Sequence, residues 1–279
     1  MGLRVEERIV AGGEADELLV HHLVLRGSDR AIGRHLGELV RGRYGLHPQG
    51  DDDPLRLERA GLRGSAAFVP ARLAVSGHPL VARTFAFAGA LERPRRGDLP
   101  SARRPYVIEL HPDDALPSLA VCAFELRGAA LDGVNAAGLV LVAAPDAATE
   151  REAPAPPAQR SGLDELQVVR HLLDRCRTAA QARDALLGGV YGGARPARWL
   201  VADRDGAAFA LEADPRGRVR CTEGAGEPVE LGSCLDEGPL RTLWHGEYDA
   251  VRRRLTARFF LGAGDWRCGE APEVSFELR

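Results

Sequence analysis

The chain has 279 residues, 45% hydrophobic and 28% charged, with 37 basic against 40 acidic side chains and a net charge of -3. All 37 basic residues are arginine, and Asn135 is the sole asparagine. The lack of lysine excludes a Walker-type phosphate loop, a pyridoxal-phosphate or aldolase Schiff base, and a Ser-Lys dyad. The Arg/Ala/Gly/Pro-rich usage is what a GC-rich genome writes. Arginines and acids are interleaved, so no basic stripe marks a nucleic-acid partner. The N-terminal residues lack the apolar core of a signal peptide, and no apolar run suits a membrane span. Five cysteines, odd in number and without a CxxC pair, suit a reducing compartment and offer no structural zinc site. A cytoplasmic chain with no membrane partner is expected.

The elements follow in chain order. Residues 17–26 read as a strand, and Ser28 stands where an N-cap belongs. A helix over Asp29 to Tyr44 places Ile32, Leu36, Leu39 and Val40 on one stripe. Gly33 and Gly37, one turn apart, would let a neighbour approach closely. Residues 47–59 read as an exposed loop. Strands over 65–76 and 78–87 flank a Ser76-Gly77 turn as a hairpin. Further strands are expected at about 105–111, 117–126 and 139–144, then a Pro/Ala-rich loop at 146–162. Two helices follow, Leu163–Cys176 and Thr178–Leu187, the first with Leu163, Leu166, Val169, Leu173 and Cys176 on one face. Strands over 198–203 and 207–212 turn at Arg204-Asp205-Gly206. Another strand ends at Val229–Leu231. A helix at about 239–259 carries Arg252, Arg253 and Arg254 on a solvated face, and a strand at 273–278 closes the chain. Clustered strands, then helices, then strands again argue for an α+β layered domain rather than a doubly wound one.

Generic motifs are lacking: there is no GxSxG elbow, no GxGxxG after a strand and no HExxH. His21-His22 and the His111-Pro-Asp113-Asp114 turn make poor metal sites, so neither metal nor cofactor is expected.

An ordered set of segments nevertheless resembles a family. Gly64-Ser65-Ala66-Ala67-Phe68 followed by Ser76 to Phe87 is similar to the mature start of the choloylglycine hydrolases and penicillin V acylases. There a Cys-Thr/Ser opening precedes DGxxLxxRxxDF. Asp132-Gly133-Val134-Asn135-Ala136-Ala137-Gly138-Leu139 resembles the family's DGxNExGL, and Arg198 to Gly206 with Glu212 resembles its hWxixDxxGxxxxxE. Arg26 to Gly33 resembles the pro-segment of the acyl-CoA:6-aminopenicillanic acid acyltransferase branch, in which a cut after glycine frees the nucleophile. The resemblance implies the N-terminal-nucleophile hydrolase fold, a four-layer αββα sandwich of two antiparallel sheets between helices. It implies one domain, with 1–64 as a pro-segment and 65–279 as the core.

The resemblance also implies site residues. The nucleophile position falls on Ser65, after a cut between Gly64 and Ser65, with the new α-amine as base; its ordinary pKa of about 7.7–8.0 suits that task. The orienting arginine is Arg83. The orienting aspartate is replaced by Ala86, and the oxyanion asparagine falls near Ser233 and Cys234, neither of them asparagine. Phe85 is a pocket-lining candidate. Asn135 is another candidate near the pocket, although an Asx turn is the simpler reading. Three functions therefore stay open. One is hydrolysis of a small amide, or transfer from an acyl donor such as acyl-CoA, through Ser65. Another is a non-catalytic relative that binds a small molecule or a partner. The third is an enzyme using a rearranged site.

Overall fold

The computed structural model describes residues 2–12, 19–44, 62–88, 105–122, 130–144, 163, 165–191, 197–213, 219–231, 240–260 and 271–279. Two sheets dominate it. The larger has nine strands in the order β1 (Arg4–Ala11), β2 (Val20–Gly27), β5 (Tyr106–Pro112), β6 (Ser118–Cys122), β7 (Asp132–Asn135), β8 (Val140–Ala143), β9 (Ala197–Ala202), β10 (Ala208–Ala213) and β11 (Val219–Glu223). The smaller has six, in the order β12 (Val229–Leu231), β3 (Leu62–Val69), β4 (Leu80–Ala88), β13 (Leu240–Asp249), β14 (Arg254–Phe259) and β15 (Glu273–Glu277). Every pairing is antiparallel except β2 with β5.

Helices α1 (Asp29–Tyr44), α2 (Glu165–Arg175) and α3 (Ala179–Leu187) pack on the nine-stranded sheet, against β2, β7–β8 and β9. The α+β sandwich read from the sequence is what the chain forms. Among the described residues the layers run helix, sheet, sheet. Two of the helices are capped by residues their own sequence supplies. Ser28 Oγ accepts from Ala31 N at 3.3 Å and Thr178 Oγ1 from Gln181 N at 3.3 Å, satisfying donors at the starts of α1 and α3. Ile32 and Leu36 on α1, and Val169, Leu173 and Cys176 on and just after α2, are buried as the periodicity requires. The side chains of Leu39, Val40 and Leu166, expected on the same stripes, lie outside the described residues.

Four sequence expectations change. The helix over 239–259 is instead the β13–β14 hairpin, turned at Ala250 to Arg253, with Arg253 at φ +55°. The segment alternates with period two: Trp244, Gly246 and Tyr248 are buried between the exposed His245 and Glu247, and Leu255, Ala257 and Phe259 repeat the pattern. A bulge between Thr242 and Trp244 buries Leu243 and Trp244 in succession, which imitates a helical stripe. The hairpin strand expected over 65–76 ends at Val69, because Pro70 cannot donate to the ladder. The close approach expected at Gly33 and Gly37 is absent among the described residues, where a Cβ at either would meet nothing within 4 Å. Finally, β1 is a strand that the sequence does not announce; it is exposed on both faces over Arg4 to Ile9, so it carries no alternation to read. The loops expected at 47–59 and 146–162 lie outside the described residues.

Asn135 joins the sheet to its helical cover. Its Oδ1 accepts from Ala137 N and Leu139 N at 3.0 Å, closing an Asx turn. Its Nδ2 donates to Leu173 O at 2.9 Å and Cys176 O at 2.7 Å, carbonyls left over at the end of α2. Asn135→Ala strands these buried groups, so it should lower the unfolding free energy by about 2–4 kcal/mol in urea titrations. A loss under about 1 kcal/mol would show that the turn and helix hold without it.

Candidate active site

β3, β4 and β13 lie side by side, and their alternation decides which side chains meet the other sheet. Ala66 and Gly246 flank Arg83 in register, and Gly64 and Trp244 flank Phe85. Small neighbours on both sides leave room for a guanidinium, and Arg83 is 1% exposed. It reaches across the sandwich to Asp132 on β7, with Nε to Oδ2 at 2.5 Å. Its Nη1 donates to Thr84 O and its Nη2 to Ala143 O, both at 3.2 Å. The guanidinium lies 4.8 Å from the ring centre of Phe85, which stacks on Trp244 at 4.1 Å. Tyr248 donates its hydroxyl to Asp132 Oδ1.

Burial pushes the Asp132 carboxyl up from its ordinary range, and the Arg83 charge and the Tyr248 hydroxyl oppose that rise. The indole of Trp244 also favours the carboxylate, although its Nε1 makes no hydrogen bond of good geometry. Tyr248 is pushed well above the usual phenol value, first by burial and then by the carboxylate it serves. Arginine, aspartate and tyrosine thus form a closed group, with all three guanidinium nitrogens engaged.

The residues inferred from the resemblance are not all brought together. Gly64 faces the interior, and a Cβ there would run into Arg83 Nη1. Ser65 is one residue on, so it turns to the opposite face, beside Thr84. The histidine in its cross-strand row, His245, is two strand spacings away, roughly 10 Å, and hydrogen-bonds Thr84 Oγ1 at 3.1 Å. The Gly64–Ser65 peptide lies inside a continuous ladder, because Leu62 and Arg63 also pair with Phe87 and Ala86. Phe85 is fully buried against Arg83 and Trp244. Asn135 points to α2, on the side of β7 away from Asp132. Ala86 is buried and supplies no carboxylate. Ser233 and Cys234 lie outside the described residues.

A second polar group was missed in the sequence. Glu109 on β5 faces His22 Nε2 at 3.2 Å and His111 Nε2 at 2.5 Å, with Arg26 Nη2 at 3.9 Å. His22 Nδ1 faces Arg8 Nη2 at 3.2 Å, where an arginine can only donate. His22, Glu109 and His111 share a face because β2 and β5 run parallel, with Val24 beside Glu109 and Arg26 beside His111. No local spacing reveals that pairing. Among the described residues, no group of histidine, cysteine and carboxylate side chains is arranged to hold a metal ion.

No family model matches the sequence, and no curated relative is found. Solved structures are similar. A mutant conjugated bile acid hydrolase from Clostridium perfringens superposes with a TM-score of 0.52 at 8% identity, over 77% of this chain and 92% of that one. A penicillin V acylase from Agrobacterium tumefaciens gives 0.49 at 10% identity, over 77% and 86%. The shared feature is the fold. This chain shares an α+β sandwich fold with the conjugated bile acid hydrolase. No helix among the described residues is long and apolar enough to cross a membrane.

Burial raises the Glu109 pKa, but the hydrogen bonds and charges of His22 and His111 outweigh it and bring it from 4.5 to about 2. A depressed carboxyl stabilises the fold above its unfolded pKa and stops doing so as pH falls through the folded value. Glu109→Gln should therefore cost about 2–3 kcal/mol at pH 7. In urea titrations, the gap to the parent should shrink between pH 4.5 and 2. A gap that widens on acidification contradicts this assignment.

Proposed function

We propose that this chain is a non-catalytic relative of the N-terminal-nucleophile hydrolases, which keeps the sandwich and serves as a small-molecule-binding or partner protein. One observation carries the reading. The interior place beside Arg83, where this chemistry needs a nucleophile, belongs to Gly64, and the guanidinium fills it while paired to Asp132.

A nucleophile of this type needs its own free α-amine as base, and a substrate needs an open guanidinium or amide donor nearby. Here Arg83 is neutralised, roofed by Phe85 and Trp244, and hydrogen-bonded through each of its three nitrogens. Ser65 faces away from it, mid-strand. Self-cleavage between Gly64 and Ser65 would require breaking the β3–β4 ladder on both sides of that peptide. The enzyme reading, in which Ser65 hydrolyses a small amide or takes an acyl group from a donor such as acyl-CoA, has the ordered motifs in its favour. Its geometry would have to be rebuilt.

The test is the intact mass of the purified chain after prolonged incubation, together with product-amine release from penicillin V and from a conjugated bile acid. The expected result is a single uncut chain, no amine above the buffer rate, and no change in either on Ser65→Ala. Pieces of 64 and 215 residues, the latter being 279 minus 64, or amine release abolished by Ser65→Ala, would overturn the non-catalytic reading.

A further inference from the structure

A cleft of about 720 Å³ opens where the edge strand β15 of the smaller sheet faces β1, β2 and β5 of the larger one. It is separate from the Arg83–Asp132 group, and its volume falls in the range of small-molecule sites. Its floor is partly apolar, with Val24 and the Phe276 ring, which packs edge-on against His22 at 5.1 Å. The buried His22 and Glu109 also line it, and their pairing fixes the wall.

The charges on the walls are unevenly matched. Glu109 is engaged by His22, His111 and Arg26, and Glu7 by His21 at 3.0 Å. Glu6 and Glu277 remain. Against them stand three arginines with no carboxylate within 4 Å among the described residues, although Glu277 is the cross-strand neighbour of Arg254. Arg8 has the His22 imidazole as its partner. Arg254 has a buried Nε without a hydrogen bond, and Arg279 lines the same wall. A guanidinium supplies five donors in a planar fork that suits a carboxylate bidentately, and an imidazole nitrogen uses that capacity poorly.

We propose that the cleft binds a small organic anion bearing an apolar group. Arg8, Arg254 and Arg279 take the carboxylate, and Phe276 and Val24 receive the apolar body. The proposal goes beyond the non-catalytic reading, which is decided by mass and amine release, whereas this one is decided by affinity.

The experiment is calorimetric titration of the full chain at low salt with 4-phenylbutyrate and with its neutral amide, 4-phenylbutyramide. These share a body and differ in charge. The carboxylate should bind at least about tenfold more tightly than the amide, a preference of about 1.4 kcal/mol. Arg254→Gln and Arg8→Gln should each remove most of that preference and leave the weak affinity for the amide unchanged. Thermal unfolding of each variant establishes that it is folded, and Arg254→Lys, which keeps the charge, should retain part of the preference. Equal affinities for the two probes, no binding of the carboxylate at millimolar concentration, or folded arginine variants that still prefer the carboxylate would each overturn the proposal.

Discussion

Burying a guanidinium and a carboxylate between two sheets costs several kcal/mol per charge unless each finds its partners, and the sandwich is arranged so that they do. Arg83 leaves β4 between two small residues, Ala66 and Gly246, and meets Asp132 on the opposite sheet. Tyr248 closes the second carboxylate oxygen, and the carbonyls of Thr84 and Ala143 each accept one N–H from the other two guanidinium nitrogens. The contact fixes how β4 and β13 stand against β7 and β8. It also fixes what Gly64 must be, because any larger residue there collides with Arg83.

That constraint makes the ion pair a brace between the sheets. On a fold whose solved members include a conjugated bile acid hydrolase, this chain puts its arginine to structural use. The paired charges, the stacked Phe85 and Trp244, and the glycine in place of a side chain all follow from one arrangement. The open cleft at the β15 edge is a different environment, in which arginines are left without carboxylate partners instead of being locked to one.

Much of the architecture was legible in the sequence. The cap Ser28, the stripes of α1 and α2, and the Arg204-Asp205-Gly206 turn are local signals, and local signals survive into the fold. The β13–β14 hairpin was not legible, because a bulge buried Leu243 and Trp244 in succession and disguised a period of two. The site was legible only in part. Arg83 was singled out, and position 86 was read as lacking the family's aspartate, but the carboxylate that pairs with Arg83, Asp132, lies 49 residues along the chain and was not foreseen. Tyr248 was hidden within the misread helix. The Glu109 group depends on the parallel register of β2 and β5, which no neighbouring residues encode.

The most direct test of the brace is a double-mutant cycle on Arg83→Met and Asp132→Leu, read as unfolding free energy in urea at neutral pH. Each single change strands a buried charge and should cost about 3–5 kcal/mol, while the double change, which removes both charges, should cost no more than either single one. The resulting coupling should be at least about 2 kcal/mol. Additive losses, with a coupling within about 0.5 kcal/mol of zero, would contradict the claim that this ion pair holds the two sheets together.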